Sequence, residues 1–88
     1  MKITAILLHR LFEKGYKRQD QKVKQGFKEK RDLLLIDPSH PLLNNHPLHG
    51  VWIGHWSINI TGNIRVVYKI EQDIAIFVAI GTHSELYG

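Results

Sequence analysis

The chain has 88 residues, of which 43% are hydrophobic and 23% are charged, and it contains no cysteine. This length allows one domain with a single core, and the composition is that of a folded chain rather than a disordered one. The lack of cysteine excludes disulfides, iron–sulfur clusters and thiolate zinc sites. The N-terminal apolar run is too short for a signal peptide, and no apolar stretch is long enough to span a membrane. We therefore expect one soluble, cytoplasmic domain over residues 1–88 that has no membrane partner.

Charge is distributed unevenly along the chain. Residues 1–36 contain ten of the twelve Lys and Arg residues and four of the eight Asp and Glu residues, which gives a net charge of +6. Residues 37–88 have a net charge of −2. A basic half favours an anionic partner, most often nucleic acid. The alternative explanation is a solvated lysine-rich helix surface that binds nothing acidic.

The first half of the chain predicts a short strand followed by two helices. The stretch KITAI is β-prone, and from Leu7 onward the apolar residues fall on one helical stripe. A second helix is predicted from about Gln21, with Val23, Phe27 and Leu34 facing inward and lysines facing outward. The two helices form a hairpin with a basic outer surface, and the prolines of DPSHPLLNNHP end it.

After Gly50 the apolar residues follow a period of two, which predicts three antiparallel strands. Trp52, Trp56, Ile58 and Ile60 share one face of the first strand, and IRVVYKI and IAIFVAI are the second and third strands. The segments TGN and EQD between them are hairpin-length loops. The element order indicates an α+β domain: a short N-terminal strand, a two-helix hairpin, then a three-strand meander packed against the helices.

The register of the meander places polar residues together on one face. Three-residue loops put Ile60 opposite Ile64 and Asn59 opposite Arg65, with Cβ atoms roughly 5 Å apart. The same alternation puts Arg65 and Lys69, the only basic residues after residue 36, on the polar face with Asn59. This face is either an anion site or an ordinary solvent-facing surface.

Histidines concentrate in the stretch NHPLHGVWIGHW, which contains His46, His49 and His55, and another, His83, lies in GTHSELYG. The spacing H-x2-H-x5-H is neither a zinc-finger nor an H-E-x-x-H pattern, so no metal and no cofactor are expected. Imidazole is suited to acid–base chemistry because its ordinary pKa of roughly 6.5 makes both protonation states accessible near neutrality.

The stretches HPLHGVWIGHWSINITGNIRVVYKI and IGTHSELYG resemble the YafQ-like branch of the RelE/ParE toxin superfamily. Its members share an H-P-L-x-G opening, an (N/D)-x-R-x-x-Y strand and a terminal G-T-H-x-x-L-(F/Y). The resemblance implies a RelE-like fold and a metal-independent endoribonuclease, an mRNA interferase that cuts messenger RNA on the ribosome. It also implies a cognate antitoxin that holds the toxin inactive, and an assembly that is either a homodimer or a toxin–antitoxin heterotetramer.

The resemblance also assigns roles to residues. His46 and His83 match the family's catalytic histidines, Tyr87 matches its terminal aromatic residue, and Arg65 matches an arginine that contacts phosphate. A guanidinium fits that role because its fork matches phosphate oxygens. The remaining polar and basic residues near these positions are expected to bind RNA: Asn59, Asn63, Lys69, Lys28 and Lys24.

Two positions depart from the family pattern. Where Asn59 and Asn63 align, the family has a histidine and an acidic residue, and an amide cannot exchange a proton near neutrality. The two asparagines support one alternative on the same fold, an RNA- or ribosome-binding domain whose site has decayed. A ParE-like gyrase inhibitor is a second alternative, against which the terminal histidine motif argues. We expect His49 and His55 to be non-catalytic and His9 to be structural.

Overall fold

The computed structural model describes residues 1–88 and contains a five-stranded mixed sheet with three α-helices. The strand order is β1-β5-β4-β3-β2, in which β1 runs parallel to β5 and the other neighbours are antiparallel. The predicted α+β fold is confirmed, and two additional edge pairings complete the sheet. The elements are β1 (Ala5–Leu8), α1 (Arg10–Lys17), α2 (Gln21–Ile36), β2 (His46–Pro47), β3 (Trp56–Thr61), β4 (Ile64–Glu71), β5 (Ile74–Thr82) and α3 (His83–Tyr87).

Helices α1 and α2 cover one face of the sheet, which we call the inner face. Phe12 of α1 and Phe27 of α2 meet Phe77 of β5, with ring centroids 5.2–5.6 Å apart in the three pairs. The predicted inward residues of α2 are buried, with Leu34 fully inaccessible. The opposite side, the outer face, carries the residues that alternate with this core. None of the helices is long and apolar enough to cross a membrane.

The start of the first helix differs from the prediction. Leu7 and Leu8 lie in β1, where they pair with Ile76 and Phe77, so the helix predicted from Leu7 is wrong in its first turn. Helix α1 begins at Arg10, and His9 caps it by accepting a hydrogen bond at Nδ1 from the Leu11 amide at 3.0 Å. Pairing with β5 supplies hydrogen bonds that the local helical periodicity does not reveal. The structural role expected for His9 is this cap.

The first hairpin agrees with the prediction in one pairing and differs in another. Asn59 lies opposite Arg65, as expected. A bulge then shifts the register so that Thr61 opposes Ile64, and the predicted pairing of Ile60 with Ile64 is wrong. Two-residue turns replace the three-residue loops that the sequence predicted. In the second hairpin the turn residues Gln72 and Asp73 have φ of 52° and 66°, as a type I′ turn requires.

The segment before β3 also differs from the prediction. Gly50–Trp52 forms a short 3₁₀ turn, so Trp52 and His55 precede the strand, which begins at Trp56. The residues HP, predicted as part of a loop, form the edge strand β2. The absence of an amide hydrogen on Pro47 is compatible with this place because an edge strand needs few ladder bonds.

Candidate active site

The C-terminal helix α3 lies across the outer face of the sheet. Trp52 Nε1 donates to the Leu86 carbonyl at 2.8 Å, and the Tyr87 hydroxyl donates to Ser57 Oγ at 3.1 Å. Ser57 and its neighbour on β4, Val67, are fully inaccessible to solvent although neither belongs to the inner core. These contacts hold α3 over the centre of the outer face.

The local sequence explains why α3 forms directly after β5. Thr82 accepts a hydrogen bond from the Glu85 amide, while Glu85 Oε1 accepts one from the Thr82 amide at 2.7 Å, which is a capping box. These bonds, with a smaller contribution from Arg18, hold the pKa of Glu85 below its ordinary value. Gly81 allows the close approach, because a Cβ there would lie 3.0 Å from Glu85 Oε1.

The capped helix presents His83 and Tyr87 as a pair. His83 is the first residue of α3 and is exposed, and Tyr87 lies one turn later on the same side of the helix. Their rings meet edge to face with centroids 4.7 Å apart and planes at 68°. The imidazole of His83 therefore remains exposed to solvent and packs against the Tyr87 ring. The Tyr87 hydroxyl is in turn hydrogen-bonded to Ser57.

His46 joins the same face from β2. It pairs with Ser57 across the β2–β3 ladder, and residues directly opposite in such a ladder point to the same side of the sheet. His46 Nδ1 lies 2.7 Å from the Asn44 carbonyl oxygen. Because a carbonyl can only accept, Nδ1 carries the hydrogen, and the neutral ring has its lone pair on Nε2.

Arg65 lies between Asn59 on β3 and Gly81 on β5. The two ion pairs of the chain, Arg31–Asp32 and Lys69–Glu71, do not include Arg65, so no carboxylate neutralises it. Its Nη1 and the neighbouring Asn59 Oδ1 are buried without hydrogen-bond partners. Unpaired polar atoms in a folded protein are rare and costly, which marks this pair as a site with unused hydrogen-bonding capacity.

The structure brings the four predicted catalytic residues to one face but not all of the predicted RNA-binding residues. Asn59 is next to Arg65, whereas Asn63 is exposed in the β3–β4 turn. Lys69 lies four residues along β4 from Arg65 and is paired with Glu71 at 3.0 Å. Lys24 and Lys28 lie on α2, which covers the inner face, and the Lys24 ammonium is 5.8 Å from the centre of the Tyr16 ring.

The other histidines do not join this group. His55 meets the Trp52 ring edge to face at 5.3 Å, and His49 is exposed before the 3₁₀ turn. His40 caps the 3₁₀ turn Pro41–Leu43 by accepting from the Leu42 amide. No three His, Asp or Glu side chains are arranged to hold a metal ion.

Two residues of the site were not found by the sequence analysis. Ser57 alternates with the core residues of β3, but its bond to Tyr87 depends on where α3 lies. Trp52 was assigned to a strand face and instead supports α3 through its indole nitrogen. A usable signal was the T-x-x-E spacing of Thr82 and Glu85, which predicts a helix start.

The site is an open surface rather than an enclosed pocket. The two concave regions, of about 440 Å³ and 290 Å³, lie elsewhere: one between α1 and Glu85, the other between α2 and Thr61. Neither is lined by His46, His83, Arg65 or Tyr87. An open surface with an exposed imidazole and a partly buried guanidinium that no carboxylate neutralises suits an extended anionic polymer better than a small molecule.

Comparison with known families decides the class of protein. The family model described as "Bacterial toxin of type II toxin-antitoxin system, YafQ" matches residues 4–88. The chain belongs to this family. The predicted resemblance to the YafQ-like branch of the RelE/ParE superfamily is therefore confirmed, and the protein is a toxin of the type II toxin–antitoxin class. Curated protein sequences gave no significant match.

Solved structures of toxins share the fold. YafQ from E. coli strain BL21(DE3) matches with a TM-score of 0.77 at 24% identity, covering 94% of this chain and 97% of that one. The toxin in the E. coli DinJ–YafQ toxin–antitoxin complex matches at 0.74 and 23% identity, covering 94% and 96%. The M. tuberculosis RelBE2 toxin–antitoxin complex matches at 0.74 and 13% identity, covering 92% and 99%. At these identities the likeness establishes the fold.

Proposed function

We propose that this toxin is a metal-independent endoribonuclease that cleaves messenger RNA, with the ribosome presenting the substrate. The observation that carries the proposal is the convergence of His46, His83, Arg65 and Tyr87 on one open face, with no carboxylate paired to Arg65. Metal-free RNA cleavage needs a general base, a general acid and a positive charge beside the phosphate, and two imidazoles and one guanidinium can supply them.

In this proposal each group has one task in the reaction. His46 Nε2 takes the proton from the ribose 2′-hydroxyl, whose oxygen attacks the phosphorus and forms a new P–O bond. His83, in its protonated form, gives a proton to the 5′-oxygen as the bond from phosphorus to that oxygen breaks. Arg65 stabilises the additional negative charge on the phosphate oxygens. Tyr87 positions the His83 ring. The products are a 2′,3′-cyclic phosphate and a 5′-hydroxyl.

The test is an assay of the end groups of the cleaved RNA, with naked RNA and with messenger RNA on ribosomes. We expect cleavage to persist in EDTA, on naked RNA or on ribosomes whose integrity is checked, and to leave cyclic phosphate and 5′-hydroxyl ends. His49→Ala, which changes an exposed histidine outside the group, is the matched control for His83→Ala. Loss of cleavage in EDTA with recovery on adding magnesium or zinc would refute the acid–base mechanism.

The same face supports one alternative, a non-cleaving domain that binds RNA or the ribosome. Asn59, beside Arg65, cannot transfer a proton, so a surface with this residue retains binding chemistry even where cleavage is lost. Binding of RNA with no cleavage at any concentration, in the presence and absence of ribosomes, would favour this alternative.

We also propose a cognate antitoxin as the protein partner, because the related E. coli toxin was solved in a toxin–antitoxin complex. The net charge of +6 on residues 1–36 suits a short acidic antitoxin segment. If charge steers the association, its rate constant falls as salt rises while the toxin stays folded. A rate that does not depend on salt would assign the basic surface to RNA or the ribosome instead.

A further inference from the structure

The segment that leads into His46 is fixed by a buried side-chain hydrogen bond. Tyr68 of β4 is fully inaccessible to solvent, and its hydroxyl donates to Asn45 Oδ1 at 2.6 Å. Asn45 Nδ2 in turn donates to the Pro38 carbonyl at 3.2 Å. Burial raises the pKa of Tyr68, so the hydroxyl remains a donor throughout the physiological range. The bond therefore holds the backbone immediately before His46 to the central strand of the sheet.

The strand that carries His46 is too short to be held in place by its own ladder hydrogen bonds. β2 has only two residues, and one of them is Pro47, which has no amide hydrogen to donate. Asn44, before it, has a φ of 45°, the left-handed conformation of the residue that ends the 3₁₀ turn Pro41–Leu43, and its amide donates to the Pro41 carbonyl. The Asn44 carbonyl is nevertheless the group that contacts His46 Nδ1, at 2.7 Å.

We propose that Tyr68 and Asn45 are positioning residues that hold the Asn44 carbonyl against His46 Nδ1 and so fix which ring nitrogen faces the substrate. The proposal rests on the function proposed above for His46. Without the Tyr68–Asn45 bond, the backbone around Asn45 loses its connection to β4 and the Asn44 carbonyl moves away from the ring. The imidazole then exchanges between its two tautomers, and its Nε2 lone pair no longer points steadily toward the substrate.

The first measurement uses the protein alone and does not depend on activity. Ring nitrogen chemical shifts from NMR report the tautomer of His46 directly. We expect one tautomer, with hydrogen on Nδ1, in the wild type and a mixture in Tyr68→Phe. Val23→Ala, which truncates a core residue on α2, is the matched control and should keep the single tautomer. A single Nδ1–H tautomer in Tyr68→Phe overturns the proposal.

The second measurement separates positioning from general loss of stability. In Tyr68→Phe we expect kcat for cleavage of ribosome-bound messenger RNA to fall by about tenfold to a hundredfold, with KM nearly unchanged. Val23→Ala, measured well below its melting temperature, should retain kcat. Asn45→Ala removes the other partner of the same bond and serves if Tyr68→Phe does not fold. Combining the two substitutions should cost no more than either alone, and additive losses would overturn the proposed pathway.

The two measurements distinguish this inference from the proposed function. If the wild type cleaves no RNA, the proposed function fails, while the tautomer of His46 still tests the positioning. If the wild type cleaves and Tyr68→Phe changes the tautomer without changing kcat, His46 does not depend on this support for catalysis and the inference fails alone.

Discussion

Arg65 offers a test in which activity and stability are expected to change in opposite directions. Its Nη1 is buried with no hydrogen-bond partner, and such a group costs about 1–3 kcal/mol of folding free energy. Arg65 is partly exposed, so the low end of that range, about 1 kcal/mol, applies. Arg65→Met keeps the length and apolar stem of the side chain but removes the unpaired group. We therefore expect the melting temperature to stay constant or to rise by about 4–8 °C.

The same substitution should remove the phosphate contact. Losing one donor that stabilises developing negative charge typically lowers the rate by about 10²–10³-fold. Arg65→Lys keeps the charge but loses the fork, so its rate should fall between those of the wild type and Arg65→Met. Single-turnover cleavage and thermal unfolding by circular dichroism measure the two effects on the same preparations.

Two results would refute this reasoning. If Arg65→Met unfolds at a lower temperature and loses activity in step with its stability, Arg65 is a structural residue and its position opposite Asn59 has no catalytic meaning. If Arg65→Met and Arg65→Lys both cleave at the wild-type rate, Arg65 does not contact the phosphate. Either result would remove Arg65 from the proposed RNA site.

Three further predictions concern α3. His83→Ala should lose about 10²–10⁴-fold in cleavage rate and keep its melting temperature, since the side chain is exposed; wild-type growth arrest at equal protein level would exclude imidazole chemistry there. Tyr87→Phe leaves the buried Ser57 hydroxyl unpaired, so it should destabilise the protein by about 1–3 kcal/mol in urea unfolding, and no change would mean that α3 is not docked through this bond. Because the pKa of Glu85 lies below its ordinary 4.5, its stabilisation of the α3 cap is complete above about pH 4.5 and is lost as the pH falls through the lowered pKa. The protection of the Thr82 amide, taken as its exchange rate relative to the intrinsic rate at the same pH, should therefore decrease in acid in the wild type, and an equal decrease in Glu85→Gln would assign the effect to another group.

The sequence predicted the parts of the fold in which local periodicity and the final structure agree. The burial of Val23, Phe27 and Leu34 follows from helical spacing, and the pairing of Asn59 with Arg65 follows from strand alternation across a short turn. Both patterns are local, because each is set within one element or one hairpin. The inner face and the position of Arg65 on the outer face could therefore be read directly from the residues.

The prediction failed where pairing between distant segments decides the structure. Leu7 and Leu8 fit a helical stripe, but parallel pairing with β5 makes them part of a strand. The bulge at Ile60 and the two-residue turns changed the register without any change in alternation. His46 was expected in the loop that follows the proline-rich segment, yet it pairs with Ser57 and belongs to an edge strand. The periodicity of a sequence reports local structure and does not reveal contacts between distant segments.

The candidate site is assembled by tertiary contacts, which is why its residue types were predictable and its geometry was not. Ser57 is opposite His46 in the β2–β3 ladder, and its hydroxyl receives the Tyr87 bond at 3.1 Å. Tyr87 in turn meets His83 at 4.7 Å between ring centroids. The relative placement of the two imidazoles therefore depends on Ser57 and on the docking of α3, and on no motif that contains both histidines. In the proposed mechanism Asn59 cannot carry a proton beside Arg65, so the two proton transfers are assigned to His46 and His83, which reach this face from β2 and from α3.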